Sequence, residues 1–104
     1  MARLIWTEPA IADLDAIADY IALDNPAAAR QLVQRVFESV ERLERFPSSG
    51  KRPDELPRTS YREIVVTPCR VFYRVAGDDV FLLYVMRAEH LLRRWLIEER
   101  NKAR

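Results

Sequence analysis

The first half of the chain carries the hydrophobic pattern of two amphipathic helices. Apolar residues recur three and four positions apart over residues 8–21 and again over residues 29–43, which places each set on one helical face. Thr7 and Asn25 stand where a side-chain oxygen can cap each helix, and Pro26 fits a first helical position. Because so few residues join the two helices, we expect them to pack antiparallel as a hairpin.

The remaining apolar segments are short and rich in Val, Ile, Phe and Tyr, which is typical of strands. One precedes the helices, at residues 2–6, and three follow them, at residues 61–67, 70–75 and 80–86. Short turns separate the last three, so they predict an antiparallel meander. Residues 80–86 are apolar on both faces, which predicts a central strand. A long loop over residues 47–57, with three prolines, joins the helices to the meander.

A further amphipathic stretch closes the chain. Leu91, Leu92, Trp95 and Leu96 are spaced as one face of a helix, which we expect to lose helical structure from Glu98 onward. Burying Leu92 and Trp95 is worth about 1.5–3 kcal/mol each, so this helix should dock on its own core or on another chain. The order βααβββα predicts a single α+β domain over residues 1–104: a helical hairpin on a small, mainly antiparallel sheet, with a C-terminal helix.

Composition narrows the functional classes. The chain of 104 residues is 49% hydrophobic and 32% charged, as expected for one folded domain. No apolar run approaches the roughly 20 residues of a membrane span, and the start lacks a signal-peptide layout, so we expect a cytoplasmic protein without a membrane partner. Cys69 is the single cysteine and His90 the single histidine, which argues against a disulfide or a zinc site. We therefore expect no metal and no cofactor.

Charge is divided unequally along the chain. Residues 1–57 hold seven Lys/Arg and ten Asp/Glu, a net charge of −3, whereas residues 58–104 hold ten and six, a net charge of +4. This asymmetry permits contact with nucleic acid but falls short of the strongly basic surface of a dedicated DNA-binding domain.

One group of residues suggests phosphate chemistry. Arg87 and His90 follow the last predicted strand, and Arg70, Tyr73 and Arg74 lie on the adjacent one, so all five could meet at one sheet edge. RNA cleavage needs a base, an acid and cations that stabilise charge on phosphorus. His90 is a candidate for the base or the acid, and the arginines for the cations. Ordinary surface ion pairs also explain these residues, and the residues alone favour that interpretation.

Several short motifs resemble those of the RelE/ParE toxins of bacterial type II toxin–antitoxin systems. In the first half they are Trp6-Thr7, Asp13-Leu14, Tyr20-Ile21, Asn25-Pro26 and Phe46-Pro47. In the second half they are Tyr61-Arg62-Glu63, Arg70-Val71-Phe72-Tyr73-Arg74 and the strand through Tyr84 and Val85. The resemblance covers most of the chain and implies the fold of that family, a helical hairpin packed on a meander sheet.

The family combines two activities on one fold, so fold alone does not choose between them. The Asn25-Pro26 break, Phe46-Pro47 and the absence of lysine from the second helix look more like the ParE branch. That branch implies inhibition of DNA gyrase, in which the toxin stabilises the gyrase–DNA cleavage complex and blocks replication without breaking a bond itself. The alternative is a RelE-like, ribosome-dependent mRNA endonuclease, in which Arg70, Arg87 and His90 would be the catalytic residues.

The resemblance also implies where partners bind. Gyrase would contact the end of the last strand and the final helix, where cations surround an aromatic anchor. The predicted target-binding residues are Arg87, His90, Arg93, Arg94 and Trp95. DNA would be reached only indirectly, through gyrase.

A cognate ParD-like antitoxin is the second implied partner, and it would form a toxin–antitoxin hetero-oligomer. Its C-terminal segment would lay an amphipathic helix along the helical hairpin. The predicted antitoxin-binding residues are Asp13, Ile17, Tyr20, Leu32 and Val36.

Overall fold

The computed structural model describes residues 1–103 and has the predicted order of elements. In chain order these are β1 (Arg3–Trp6), α1 (Glu8–Ala22), α2 (Pro26–Glu41), β2 (Arg62–Val66), β3 (Cys69–Ala76), β4 (Asp79–Arg87) and α3 (Arg94–Ala103). A 3-10 turn over Arg42–Glu44 extends α2. The α+β arrangement βααβββα is therefore confirmed. Within residues 1–103, no helix is long and apolar enough to cross a bilayer.

Both helices of the hairpin begin at the predicted caps. The Thr7 hydroxyl accepts a hydrogen bond from the Ala10 N–H at 3.3 Å, and the Asn25 side chain accepts one from the Ala28 N–H at 3.1 Å. Each cap satisfies a backbone donor that has no partner inside the helix. Pro26 occupies the first turn of α2, where its missing N–H costs nothing. Local sequence thus fixes where α1 and α2 start.

The sheet has four strands in the order β1-β4-β3-β2. β2, β3 and β4 form the predicted antiparallel meander, and β1 pairs parallel with β4. This confirms β4 as a central strand. Its pairing with β3 shifts register, since Phe72 is opposite Tyr84 while Tyr73 is opposite Leu82. Leu83 is the extra residue of this β-bulge.

Each face of the sheet carries its own hydrophobic cluster. The hairpin covers one face, where Leu14, Leu32 and Val36 pack against strand residues such as Val71 and Tyr73. On the opposite face a smaller cluster joins the strands to the long loop and to α3; its buried members are Leu56, Tyr61, Phe72, Leu83, Met86, Leu92 and Ile97. The sheet is therefore covered on both sides.

The final helix departs from the prediction at its start. α3 begins at Arg94, so Leu91 and Leu92 lie in a loop that precedes it. Leu92 is buried as expected, but Trp95 is 66% exposed and does not dock on the core. Ile97, which is fully buried, makes that contact instead. α3 extends to Ala103, so the expected loss of helical structure from Glu98 onward is wrong; Arg104 lies outside the described residues.

An ion pair fixes the far end of α3 to α1. The guanidinium of Arg100 donates to the two carboxylate oxygens of Asp13 at 2.7 and 2.9 Å, and to the Leu83 carbonyl at 3.0 Å. It also stacks over the ring of Tyr84, 4.4 Å from the centroid. Asp13 accepts a further hydrogen bond from the Val85 N–H. α3 is thus held at its middle by Ile97 and near its end by Arg100.

Candidate functional site

Residues 87–95, called here the cationic rim, run from the end of β4 to the start of α3. The predicted target-binding residues all lie on it. His90, Arg93, Arg94 and Trp95 are exposed, and Arg87 is half-buried. One aromatic side chain surrounded by cations suits an anchor for a macromolecular partner. The structure therefore brings these five residues onto one accessible stretch of chain.

Two of the rim's arginines have acidic neighbours. Arg87 donates to Glu89 at 2.7 Å, which holds the pKa of that carboxyl below its ordinary value. Arg94 lies 3.6 Å from Glu98 one turn along α3. Both pairs are exposed enough for solvent to screen them, so each arginine can exchange its partner at little cost.

The loop before α3 is held by groups from elsewhere in the fold. The Ala88 N–H donates to the Pro68 carbonyl at 2.8 Å. The Leu92 N–H donates to Glu55 at 2.8 Å, and the His90 carbonyl accepts from Arg70 at 3.0 Å. Because the His90 carbonyl accepts from the Arg70 side chain, it is not used in a helical hydrogen bond with the N–H of Arg94. This explains why α3 begins at Arg94 rather than at Leu91.

Arg70 is buried, with 9% of its surface exposed, and all five of its N–H groups are used. Glu55 accepts two of them, both at 2.8 Å, Glu63 accepts two at 2.6 and 3.2 Å, and the His90 carbonyl accepts the fifth. These hydrogen bonds lower the pKa of Glu55 to about 2 and raise that of Arg70. The guanidinium therefore has no N–H left to donate to a phosphate.

The predicted five-residue cluster for phosphate chemistry does not form. Arg70 points to the face covered by α3, where it lies over the Phe72 ring, whereas Tyr73 belongs to the cluster under the hairpin. The Tyr73 hydroxyl donates to the Pro47 carbonyl at 2.8 Å and accepts from the Gly50 N–H at 2.9 Å. Arg74 is paired with Phe81 in the register, well back along β3 from the rim.

The predicted antitoxin-binding residues fall into two groups. Leu32 and Val36 are 1% and 0% exposed in the core, so no partner can contact them in this conformation, and Asp13 is engaged by Arg100. The apolar stripe of α2 therefore covers the sheet and is no docking surface. Tyr20 is 68% exposed and Ile17 is half-buried on α1. Only these two remain available to a partner.

The α1 surface and the cationic rim are adjacent. Ile17 lines a surface pocket of about 240 Å³ together with Asp13, Tyr84, Arg87 and His90. The predicted antitoxin-binding face and the predicted target-binding face thus share this pocket. No sequence pattern indicated this shared pocket, because Ile17 and His90 are far apart along the chain.

Three further features were not predicted. Leu23 is 80% exposed at the end of α1, and a groove of about 380 Å³ runs between the two helices, lined by Ala18, Ala22, Val33 and neighbouring residues. Leu91 is 68% exposed on the rim. Glu63 is 3% exposed in β2. A lone carboxylate inside the apolar strand run was the one signal that pointed to a buried ion pair.

Known proteins share the sequence pattern and the fold described above. Residues 4–92 match the model of a family described as the ParE toxin of the type II toxin–antitoxin system parDE. Among curated proteins, the chain is 34% identical to Toxin RelE2 of Caulobacter vibrioides over 93 residues, which cover 89% of this chain and 99% of that protein. It is 33% identical to Toxin ParE3 of the same organism, covering 83% and 86%.

A solved structure agrees with these relatives. A chain from a chromosomal ParDE toxin–antitoxin system of P. aeruginosa superposes with a TM-score of 0.71 at 35% sequence identity. The match covers 86% of this chain and 98% of that one. The likeness therefore extends over nearly the whole fold described above.

Proposed function

The chain belongs to the ParE toxin family of type II toxin–antitoxin systems, and we propose that it inhibits DNA gyrase by binding. The cationic rim would contact the gyrase–DNA cleavage complex and prevent religation of the DNA. The toxin breaks no bond in this mechanism, and it meets DNA only through gyrase. The observation that carries the proposal is that every N–H group of Arg70 is bonded to Glu55, Glu63 or the His90 carbonyl, so none is left for a phosphate.

That engagement weighs against cleavage of RNA. A nuclease needs a base, an acid and cations directed at the phosphate, held in one site. Arg70 is buried and satisfied, so recruiting it would remove the closest cation from the carboxylates of Glu55 and Glu63. Arg87 and His90 are accessible, but they lack the buried surroundings that strengthen electrostatic stabilisation.

Inhibition by binding requires only an accessible anchor. Trp95 exposes 66% of its surface next to Arg93 and Arg94, and Leu91 exposes 68% nearby. Exposure of a large aromatic side chain to water is unfavourable, and such side chains are frequent at the centres of interfaces. The exposed arginines favour an acidic or nucleic-acid-bearing partner.

A ParD-like antitoxin would neutralise the toxin by covering α1. The relevant solved neighbour comes from a ParDE system; in this chain Tyr20 and Leu23 are exposed, and an apolar groove runs between the two helices of the hairpin. An amphipathic segment fits such a surface. Because Ile17 shares a pocket with Arg87 and His90, a bound antitoxin would reach the cationic rim and block gyrase. The complex would be a toxin–antitoxin hetero-oligomer.

The second candidate is the RelE-like mRNA endonuclease. Its support is the name RelE2 carried by one relative, together with the pocket that Arg87 and His90 share. In that case His90 would transfer the proton and Arg87 would bind the phosphate.

Two assays run in parallel separate the candidates. Purified toxin is incubated with gyrase, supercoiled plasmid and ATP, and in a second reaction with translating ribosomes and mRNA. Linear plasmid after protein denaturation supports the proposal. Cut mRNA without linear plasmid overturns it in favour of the endonuclease.

A further inference from the structure

We propose that Glu55 and Arg70 are positioning residues, which hold residues 88–93 in the conformation that presents the cationic rim to the target. The inference rests on the proposed function, since it takes the rim as the target-binding surface. It assigns a role to Glu55, which lies in the long loop far from the rim along the chain.

The two side chains hold the backbone on both sides of Leu91. Arg70 donates to the carbonyl of His90 at 3.0 Å, and Glu55 accepts from the N–H of Leu92 at 2.8 Å. The side chains of His90 and Leu91 point outward from this short segment, and both are exposed. Fixing one carbonyl and one N–H two residues apart sets the direction of the side chains between and beside them.

Glu55 and Arg70 are themselves held by further contacts. Arg70 makes a two-pronged pair with Glu55, with both N–O distances at 2.8 Å, and is bound from β2 by Glu63. Leu56, next to Glu55, is 5% exposed within the cluster that includes Ile97 of α3. Charge-assisted hydrogen bonds thus fix residues 88–93 relative to β2 and β3.

Packing alone does not hold this segment. A groove of about 500 Å³ lies between residues 88–91 and strand β2. Lys51, Val65, Ala88 and Leu91 are among the residues that line it. Val65 and Leu91 are 55% and 68% exposed across it. Within residues 88–93, Leu92 is the buried residue, so removal of the two polar contacts would free the backbone between Leu92 and Ala88, whose N–H stays bonded to the Pro68 carbonyl.

The test uses Glu55→Ala and Glu55→Gln in the full chain. The amide side chain of Gln keeps an oxygen for the Leu92 N–H but loses the charge, so it should act as the intermediate case. Asp79→Asn is the matched control, because Asp79 also makes a two-pronged pair, with Arg3 at 3.1 and 3.2 Å, at the opposite end of the sheet. Circular dichroism and thermal unfolding establish the folded fraction of each variant.

Two readouts distinguish positioning from a general loss of stability. The first is hydrogen exchange of the Leu92 amide, which we expect to be about tenfold faster in Glu55→Ala. The second is the toxin concentration that gives half-maximal linear plasmid in the gyrase reaction, which we expect to rise about tenfold while the maximal yield stays the same. Partial unfolding would raise this concentration only by the reciprocal of the folded fraction, which circular dichroism measures, so a tenfold rise in a mostly folded variant is due to positioning. Asp79→Asn should match the wild type in both.

The outcomes separate this inference from the proposed function. If wild-type toxin yields no linear plasmid, the gyrase proposal fails, and the positioning role is then measured as growth arrest at equal levels of folded toxin in cells. If Glu55→Ala speeds exchange at Leu92 yet keeps wild-type potency in the assay used, the positioning role is overturned. Unchanged exchange at Leu92 overturns it as well.

Discussion

At the scale of single residues, burial decides what Arg70 can do. An exposed arginine on a strand is a good phosphate ligand, but this one has five hydrogen bonds to two carboxylates and one carbonyl. Separating a buried guanidinium from its carboxylates costs several kcal/mol, because the charges left behind are poorly solvated. Arg70 therefore serves the structure of the loop, while Arg87, Arg93 and Arg94 are the arginines a partner can reach.

The ion pair between Glu55 and Arg70 should make the stability of the fold depend on pH. Its pKa is about 2 in the folded protein, against an ordinary value of 4.5, because Arg70 stabilises the ionised form. A lowered pKa stabilises the fold above the unfolded-state pKa, and this stabilisation is lost as the pH falls toward the folded-state value. We expect Glu55→Gln to lower the free energy of unfolding by about 2 kcal/mol at pH 6.5 and by less than half of that at pH 3. Urea titrations at the two pH values measure the difference, and an equal loss at both would contradict the assignment.

The two glycines offer a matched pair of substitutions. A Cβ at Gly50 would lie 2.6 Å from both the Glu63 carbonyl oxygen and the Tyr73 hydroxyl, whereas a Cβ at Gly77 would meet nothing within 4 Å. Gly77 has a φ of +61°, which costs an L-residue only local strain. We expect Gly50→Ala to destabilise the fold by about 2–3 kcal/mol and Gly77→Ala by about 1 kcal/mol. Chemical denaturation measures both losses, and a larger loss for Gly77→Ala than for Gly50→Ala would contradict the prediction.

Trp95 tests the rim directly. Because its side chain is mostly exposed, Trp95→Ala should leave the melting temperature within about 2 °C of the wild type. We expect its potency against the target to fall at least about tenfold, as is usual for an aromatic anchor. Potency is measured by plasmid linearisation and by growth arrest. Full potency in a folded Trp95→Ala protein would remove Trp95 from the target-binding surface.

At the scale of elements, α3 depends on few contacts. Ile97 is fully buried, and an ion pair joins the end of α3 to α1 between Asp13 and Arg100, whose side chains are 17% and 23% exposed. A helix of ten residues has little stability of its own, so these contacts determine whether it forms. Since α3 carries Arg94 and Trp95, its attachment also affects the rim.

Arg100→Ala should therefore loosen α3. We expect a loss of about 1–2 kcal/mol in the free energy of unfolding, because Asp13 would keep only the Val85 N–H as a partner. Arg94→Ala is the control on the same helix, since its 3.6 Å pair with Glu98 is exposed and worth less than about 0.5 kcal/mol. Hydrogen exchange should be faster along α3 in the first variant only. Equal protection in both would show that Ile97 alone suffices.

At the scale of the whole molecule, local patterns predicted the fold but not the long-range contacts that hold the rim. The caps at Thr7 and Asn25 and the central position of β4 depend on neighbouring residues or on a strand's own composition, so sequence reasoning found them. The contacts of Glu55 with Arg70 and of Asp13 with Arg100 join distant segments that only the folded chain brings together. No spacing rule reveals such pairs.

The apolar stripe of α2 illustrates the same limit. A helical stripe identifies the buried face but not what buries it, so Leu32 and Val36 fitted an antitoxin surface as well as a core. Only the sheet packed against them decides the question. Conversely, Trp95 was assigned to a helical stripe that starts at Leu91. Because α3 starts only at Arg94, that stripe does not form, and Trp95 is exposed.

The most direct measurement is the amount of gyrase covalently bound to DNA in cells that express the toxin. Cells are lysed in detergent after induction, and protein–DNA adducts are separated on a density gradient and probed for gyrase. We predict that adducts accumulate with the wild-type toxin, are reduced with Trp95→Ala, and disappear when a cognate antitoxin is expressed together with it. Growth arrest without gyrase adducts, accompanied by cuts in translated mRNA, would contradict inhibition of gyrase.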